Sequence, residues 1–185
     1  VYFDDFGAAT ASVISKVTDG SNVGYRLEKN SSANKLSFWI GDGTDFIEVT
    51  SGVLSTTTWY HVVGTNDGTN SKIYIDGALV SSAAQGNTTG PTGDLKIGLH
   101  STTTAAARYW DGQIDEVAVW SDVLTLSEVQ ALYNSGARLD ASSAGTSADN
   151  FGYNSHEDLE GYWKFNEGSG TTAKDQTANG NNGTI

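Results

Sequence analysis

Apolar and polar residues alternate in short runs along most of this chain, and turn-forming residues end each run. Residues 1–6, 12–17 (SVISKV), 24–29 (GYRLEK), 36–40 (LSFWI) and 46–49 have this pattern. So do residues 59–65 (WYHVVGT), 72–76 (KIYID), 79–80, 95–99 (LKIGL), 112–120 and 161–165 (GYWKF). A period of two predicts strands with one buried face. In GYRLEK that face carries Tyr25 and Leu27. Asp-Gly pairs begin at Asp19, Asp42, Asp67, Asp76 and Asp111. Each can supply the two positive-φ residues of a type I′ hairpin turn. Turn chemistry is therefore the first reading of these aspartates. Near residue 125 the period changes. Leu126, Val129, Leu132 and Tyr133 recur at helical spacing. Thr125 and Glu128 form a capping box, Leu124 and Val129 fit a hydrophobic staple, and Gly136 stands where a C′ glycine would close the helix. The expected fold is all-β, an antiparallel β-sandwich with one short α-helix near residues 125–135.

Composition narrows the functional classes. The chain has 185 residues, with 22 acidic against 10 basic side chains and a net charge of −12. That field repels phosphate backbones and argues against nucleic-acid partners. No apolar run reaches the length of a membrane span, so membrane insertion is not expected. Cysteine is absent, so no disulfide holds the fold. Methionine is also absent and the chain opens on VYF, which reads as a processed product or a fragment. Residues 140–158 are rich in Ser, Ala, Gly, Asn and Asp without a period and read as a surface linker. The expected organisation is a body over 1–139, this linker, and a strand motif over 159–185.

Three stretches carry a family resemblance. GQIDEVAVWSDVLTLSEVQALYNSG (112–136) resembles the closing motif of the laminin G-like, concanavalin A-like jelly-roll family. WYHVVGTNDGTNSKIYIDGALVSS (59–82) resembles the hairpin before it, and LEGYWKFNEGSGTTAKDQTANGNNGTI (159–185) resembles the family's opening motif. The resemblance implies a jelly roll. It is a poor guide to activity, since this fold hosts lectins, adhesion modules, enzyme domains and spacers. The motif order is unusual, because an opening motif stands last. Either residues 159–185 begin a next tandem copy, or they complete the same sandwich in permuted order. The second is preferred, since an isolated strand bearing Tyr162, Trp163 and Phe165 would expose a large apolar surface.

The resemblance also implies a structural calcium held between the final strand and the opening motif. Its positions map to Asp115 and Asp175, with carbonyls near Asn179 and Gly183 completing the oxygen shell. For sugar binding, the chemistry asks for an exposed aromatic ring with hydrogen-bonding neighbours. Trp59, Trp120 and Trp163 lie inside strand patterns and are expected in the core. Trp39 follows Phe38, so one of the pair faces outward or into a concave groove. Arg108, Tyr109 and Trp110 stand at a strand entrance and form the expected ligand patch with Trp39. Hydrolysis is not expected. The Glu-x-Asp-x-x-Glu motif of glucanases with this fold is absent, as is a Gly-x-Ser-x-Gly elbow. Asn30, Asn87 and Asn182 stand in glycosylation sequons, expected by chance in this composition. The expected role is a non-catalytic, calcium-supported extracellular binding or adhesion module, a lectin-like partner of glycans or glycoproteins. The competing role is a spacer, assembly or decoration module of a larger surface or virion protein, with neighbouring copies or other chains as partners.

Overall fold

The computed structural model describes residues 1–5, 7, 10–18, 21–30, 34–84, 90–100, 108–137, 139–143 and 153–185. Asp19 and Asn87 lie outside these residues, as does the middle of the 140–158 stretch. The regular structure of the described residues is nearly all β-strand, with one short α-helix, an arrangement consistent with a jelly-roll sandwich. It divides into two compact units, Val1–Ile75 with Leu79–Gln113, and Asp76–Ala78 with Ile114–Ile185.

In the first unit, β1 (Tyr2–Phe3) is followed by β2 (Ser12–Val17), β3 (Val23–Asn30), β4 (Lys35–Asp42) and β5 (Phe46–Thr50). After them come β6 (Val62–Asn66), β7 (Asn70–Ile75), β8 (Ala78–Ala84, in this unit from Leu79 on), β9 (Lys96–Ile97) and β10 (Gly112–Gln113). Five of these strands form one sheet in the order β5-β4-β3-β2-β9, three form a second in the order β6-β7-β8, and β1 pairs with β10. Directly opposite residues share a face. One face of the five-stranded sheet carries the row Ile14, Leu27, Phe38 and Val49. This is the core face. A Cβ on Gly64 of β6 would lie 2.4 Å from the Phe38 ring, so the glycine lets the two sheets approach. Among the described residues of 1–6, the expected strand is confined to Tyr2–Phe3. Trp59, expected in the core, is 48% exposed. It stands before β6 and makes an isolated bridge to Tyr2, so the strand expected from residue 59 begins only at Val62.

The Asp-Gly turns divide by local chemistry. Asp76 (φ 50°) and Gly77 (φ 77°) form the two-residue positive-φ pair between β7 and β8. Asp42 and Asp67 instead each accept two backbone N–H bonds through Oδ1, from Thr44 and Asp45 and from Thr69 and Asn70. These bonds hold both carboxyls below their usual range. They are side-chain-capped loops rather than type I′ turns.

In the second unit, β11 (Val117–Trp120) pairs antiparallel with β12 (Leu159–Trp163), while β13 (Thr172–Ala173) pairs with β14 (Gly183–Thr184). The sequence predicts one strand over 112–120. The structure breaks it, because Glu116 adopts φ 52° and its carboxylate accepts a hydrogen bond from the Tyr162 hydroxyl. Helix α1 (Leu126–Tyr133) has the expected capping box. The Glu128 amide donates to Thr125 Oγ1 at 3.3 Å, and Glu128 Oε2 accepts from the Thr125 amide at 2.9 Å. The helix ends on Asn134 in the left-handed region, two residues before Gly136.

Residues 140–158 do not form the expected surface linker at their described ends. Tyr153 is fully buried and donates to the Ala141 carbonyl at 2.8 Å. Trp120 is half-buried and donates its indole N–H to the Tyr153 hydroxyl at 3.0 Å. Ser155 is bound through its amide to Glu128 Oε1 at 3.2 Å. One buried aromatic ring and a helix-cap carboxylate thus hold Ala141, Tyr153 and Ser155. Trp163 is buried, as expected. Among the described residues, no helix is long and apolar enough to cross a membrane.

Candidate functional site

The five-stranded sheet has two unlike faces. Opposite the core row, two polar rows cross the strands in register. The first is Ser12, Glu28, Ser37 and Thr50, and the second is Ser15, Arg26, Trp39 and Glu48. The alternation of GYRLEK explains this split, since Tyr25 and Leu27 point to the core and Arg26 and Glu28 to the other side. A register shift between Ser12 and Ile14 brings Ser12 opposite Glu28.

Arg26 is the centre of the face. Its guanidinium lies 4.1 Å from the Trp39 ring centroid. Its Nη1 donates to His100 Nε2 at 2.9 Å, and its Nε stands 3.6 Å from Glu28 Oε2. The same Glu28 oxygen is 3.5 Å from His100 Nε2. Because Nε2 accepts, the neutral imidazole carries its proton on Nδ1. Burial, with Arg26 and Arg108 beside it, holds His100 down to about 4. Burial pushes the Glu28 carboxyl up, against the pull of Arg26. Burial also lowers Arg26 itself. Among the described residues, three buried atoms here have no hydrogen-bond partner: Arg26 Nε, Glu28 Oε2 and Ser37 Oγ. Desolvating an ion pair costs several kcal/mol per ion, and apolar residues of similar volume would stabilise the sheet as well or better. Unsatisfied polar atoms add to that cost. Perturbed, costly charge clusters of this kind occur in functional sites and in structural ion-pair networks alike, which makes this face the candidate site.

Aromatic rings complete the face. Trp39 is sandwiched between Arg26 and Phe46, with the Phe46 ring stacked 5.2 Å away. A Cβ on Gly41 would come within 2.9 Å of the Trp39 ring, so this glycine gives the indole its room. Trp39 is therefore buried, which corrects the expectation that it faces outward. Phe46, 44% exposed, is the ring that meets solvent. Glu48 is exposed beside it and accepts from Asn30 Nδ2 at 3.4 Å.

The other expected ligand residues separate. Arg108 joins the cluster, since its charge acts on Arg26, Glu28 and His100, and its carbonyl accepts from the His100 amide at 3.2 Å. Tyr109 is exposed and bridges to Leu99. Trp110 packs on Phe3 at 4.8 Å and donates its indole N–H to the Tyr2 carbonyl at 3.2 Å, which makes it a support of β1. Sequence reading missed Arg26, Glu28, Phe46, Glu48 and His100. The alternation of β3 could have shown the first two; the rest needed register.

In the second unit, Asp175 organises a loop. Its Oδ1 accepts from the amides of Tyr162 and Thr177, both at 3.0 Å. Its Oδ2 accepts from the Thr177 hydroxyl at 2.9 Å and the Asn181 amide at 2.8 Å. These hydrogen bonds outweigh its burial and hold the carboxyl low. Asn179 donates to the Glu160 carbonyl at 3.1 Å, Gly183 lies in β14, and exposed Asp115 accepts from the Glu116 amide at 3.0 Å. Calcium takes six to eight oxygens. These residues as arranged do not offer that shell, because four protein donors already occupy the Asp175 carboxylate. Among the described residues, no group of three or more Asp, Glu or His side chains could hold a metal ion.

Residues 1–130 match the family model of the concanavalin A-like lectin/glucanases superfamily. No curated protein matches the sequence. Among solved structures, one similar to this chain is a Bacteroides ovatus protein provisionally described as carbohydrate-binding, with a TM-score of 0.72 and 23% identity. The match covers 99% of this chain and 49% of that protein, so the chain spans about half its length. The CBM40 of a Ruminococcus gnavus IT-sialidase, bound to α2,3-sialyllactose, matches with a TM-score of 0.58 and 15% identity over 71% of this chain and 78% of that one. A SAP-like pentraxin from Limulus polyphemus matches with a TM-score of 0.53 and 16% identity, over 69% and 64%. At these identities the likeness shows the fold alone.

Proposed function

The chain belongs to the concanavalin A-like lectin/glucanase superfamily, and from that footing we propose that it is a non-catalytic carbohydrate-binding module whose site is the polar face of β2 to β5. The observation that carries this reading is the desolvated Arg26–Glu28–His100 cluster, stacked on Trp39 and bordered by the exposed ring of Phe46. A sugar offers hydroxyls to a carboxylate and a guanidinium, and an apolar ring face to an aromatic side chain. The descriptions of two of its structural neighbours support the same class of ligand. Glu28 and Glu48 do not make a hydrolytic pair in this reading. They lie two strands and one row apart, and the Glu28 carboxylate is engaged by Arg26. The setting we propose is extracellular or at a cell surface, with glycans or glycoproteins as partners. Calcium is not required by this site.

A glycan array tests the reading, with the wild type, Arg108→Ala and Phe46→Ala each probed in calcium and in chelator. The expected result is a coherent set of bound sugars, weakened in both variants and unchanged by chelation. Silence of a folded wild type would overturn the proposal in favour of a spacer or assembly role. Binding unaffected by either variant would overturn the location.

A further inference from the structure

A second aromatic feature shares no residue with the polar face. Tyr2 pairs with Gln113 on one side and bridges to Trp59 on the other. Side chains directly opposite in an antiparallel pair lie on the same face. Trp59, Tyr2 and Gln113 therefore form one row across three neighbouring segments. The Tyr2 and Trp59 rings lie 5.7 Å apart at 49°, which makes a twisted platform. The alternate residue, Phe3, points the other way and is fully buried against Tyr60 and Trp110. The core thus takes Phe3, and the outward row is free to meet something else. Trp59 leaves 48% of its surface in water and Gln113 is exposed at the end of the row. Asp4, Asp5 and Asp111 are exposed beside it, and the Asp4 amide donates to the Asp111 carbonyl at 3.3 Å.

We propose that this Trp59–Tyr2–Gln113 row is a second carbohydrate platform, and that it takes neutral sugars. Two rings offer stacking surface to an apolar pyranose face, and the amide offers both a donor and an acceptor to its hydroxyls. The acidic rim repels uronates, sialates and sulfated sugars, on a chain that already carries a net charge of −12. The row is too small for a stable protein interface, which needs roughly 800 Å² from each partner. The two sites select different chemistry. The Arg26 face presents guanidinium groups, and the Trp59 row presents rings with carboxylates at the border. A module with both would hold a mixed polysaccharide at two points and gain avidity from the second contact.

Affinity gel electrophoresis tests this on the whole chain, with xyloglucan, mixed-linkage β-glucan, galactomannan and soluble starch as neutral probes and polygalacturonate as the anionic control. The proteins are wild type, Trp59→Ala, Trp59→Phe and the double variant Arg26→Met/Glu28→Gln, each checked for folding by circular dichroism and for oligomeric state by sedimentation. The expected result is retardation of the wild type by at least one neutral probe and not by polygalacturonate. Trp59→Ala should weaken it about tenfold or more, Trp59→Phe should keep most of it, and the double variant should keep all of it. The proposal fails if no neutral probe retards the wild type, or if Trp59→Ala behaves as wild type. It also fails if the double variant loses the same binding, which would make the two faces one site. A wild-type dimer that Trp59→Ala converts to monomer would assign the row to an interface between copies instead. Loss of binding in the double variant alone would remove this platform and leave the Arg26 site standing.

Discussion

Removing one member of the Arg26–Glu28 pair should harm the protein more than removing both. Arg26 holds three contacts at once: 4.1 Å to the Trp39 ring, 2.9 Å to His100 and 3.6 Å to Glu28. The Arg26→Met variant keeps an apolar stem over Trp39 but leaves a desolvated carboxylate without its cation. Breaking a buried pair in this way costs about 3–5 kcal/mol, with the lost cation–π contact inside that range. The Arg26 and Glu28 side chains are 16% and 12% exposed, so the lower end applies, about 3 kcal/mol. For a chain of this size that is a fall in Tm of roughly 6–12 °C. The double variant Arg26→Met/Glu28→Gln removes both charges and their desolvation cost, and should lie within about 1 kcal/mol of wild type. Glycan binding at the polar face should be lost in both. The assay is a double-mutant cycle by urea denaturation at pH 7, followed by fluorescence and circular dichroism, with array binding measured on the same samples. A double variant as unstable as Arg26→Met would show that the cluster is there to hold the sheet. A stable double variant that loses none of the sugars bound by the wild type would show that the polar face is not a site. Either result refutes the reasoning.

The histidines give a second test. Burial holds His61 and His100 down to about 4, against about 6.5 for an unfolded imidazole. As pH falls below about 6.5 the unfolded chain gains protons first, so stability is lost between about 6.5 and about 4; urea midpoints across that range should fall, and His100→Gln should flatten the slope. Gly64→Ala places a methyl 2.4 Å from the Phe38 ring and should cost about 1–3 kcal/mol. Phe38→Leu in the same chain should restore part of the urea midpoint; an unchanged midpoint in Gly64→Ala would count against the close approach of the sheets. Asp175→Ala should lower Tm equally in calcium and in chelator, because the lost contacts are hydrogen bonds. A rise in wild-type Tm on adding calcium, abolished by Asp115→Ala, would instead favour an ion at that loop.

Features decided by neighbours in sequence were legible. The capping box of Thr125 and Glu128 involves residues one helical turn apart, and Asp76-Gly77 needs only its own backbone angles. The strand runs were legible where apolar spacing is dense, as in LSFWI. Residues whose partners come from far along the chain were not. Trp59 sits in a pattern that predicts burial, yet its neighbour is Tyr2 and both point outward. His100 reaches Arg26 only through the ladder of β2, β3 and β9. The stretch over 140–158 has the composition of a linker, and a single residue, Tyr153, contradicts it by being buried. Asp175 was read through the family resemblance as an ion ligand, while its own surroundings of Thr177, Asn181 and backbone amides suit a loop hub. Composition averages over such residues, so the burial of a single tyrosine does not show in it.

The pairing of β1 with β10 has a consequence for how the chain is made. Tyr2 and Phe3 leave the ribosome about 110 residues ahead of their ladder partners, Gln113 and Gly112. At roughly 5–20 residues per second, that delay is about 5–20 s. Through that interval a phenylalanine destined for full burial has no strand to lie against, and Trp59 reaches Tyr2 only midway. Among the described strands, β1 thus waits longest for its ladder neighbour. Nascent-chain pausing, chaperone capture and misfolding of the first unit should all concentrate before residue 113 has left the exit tunnel.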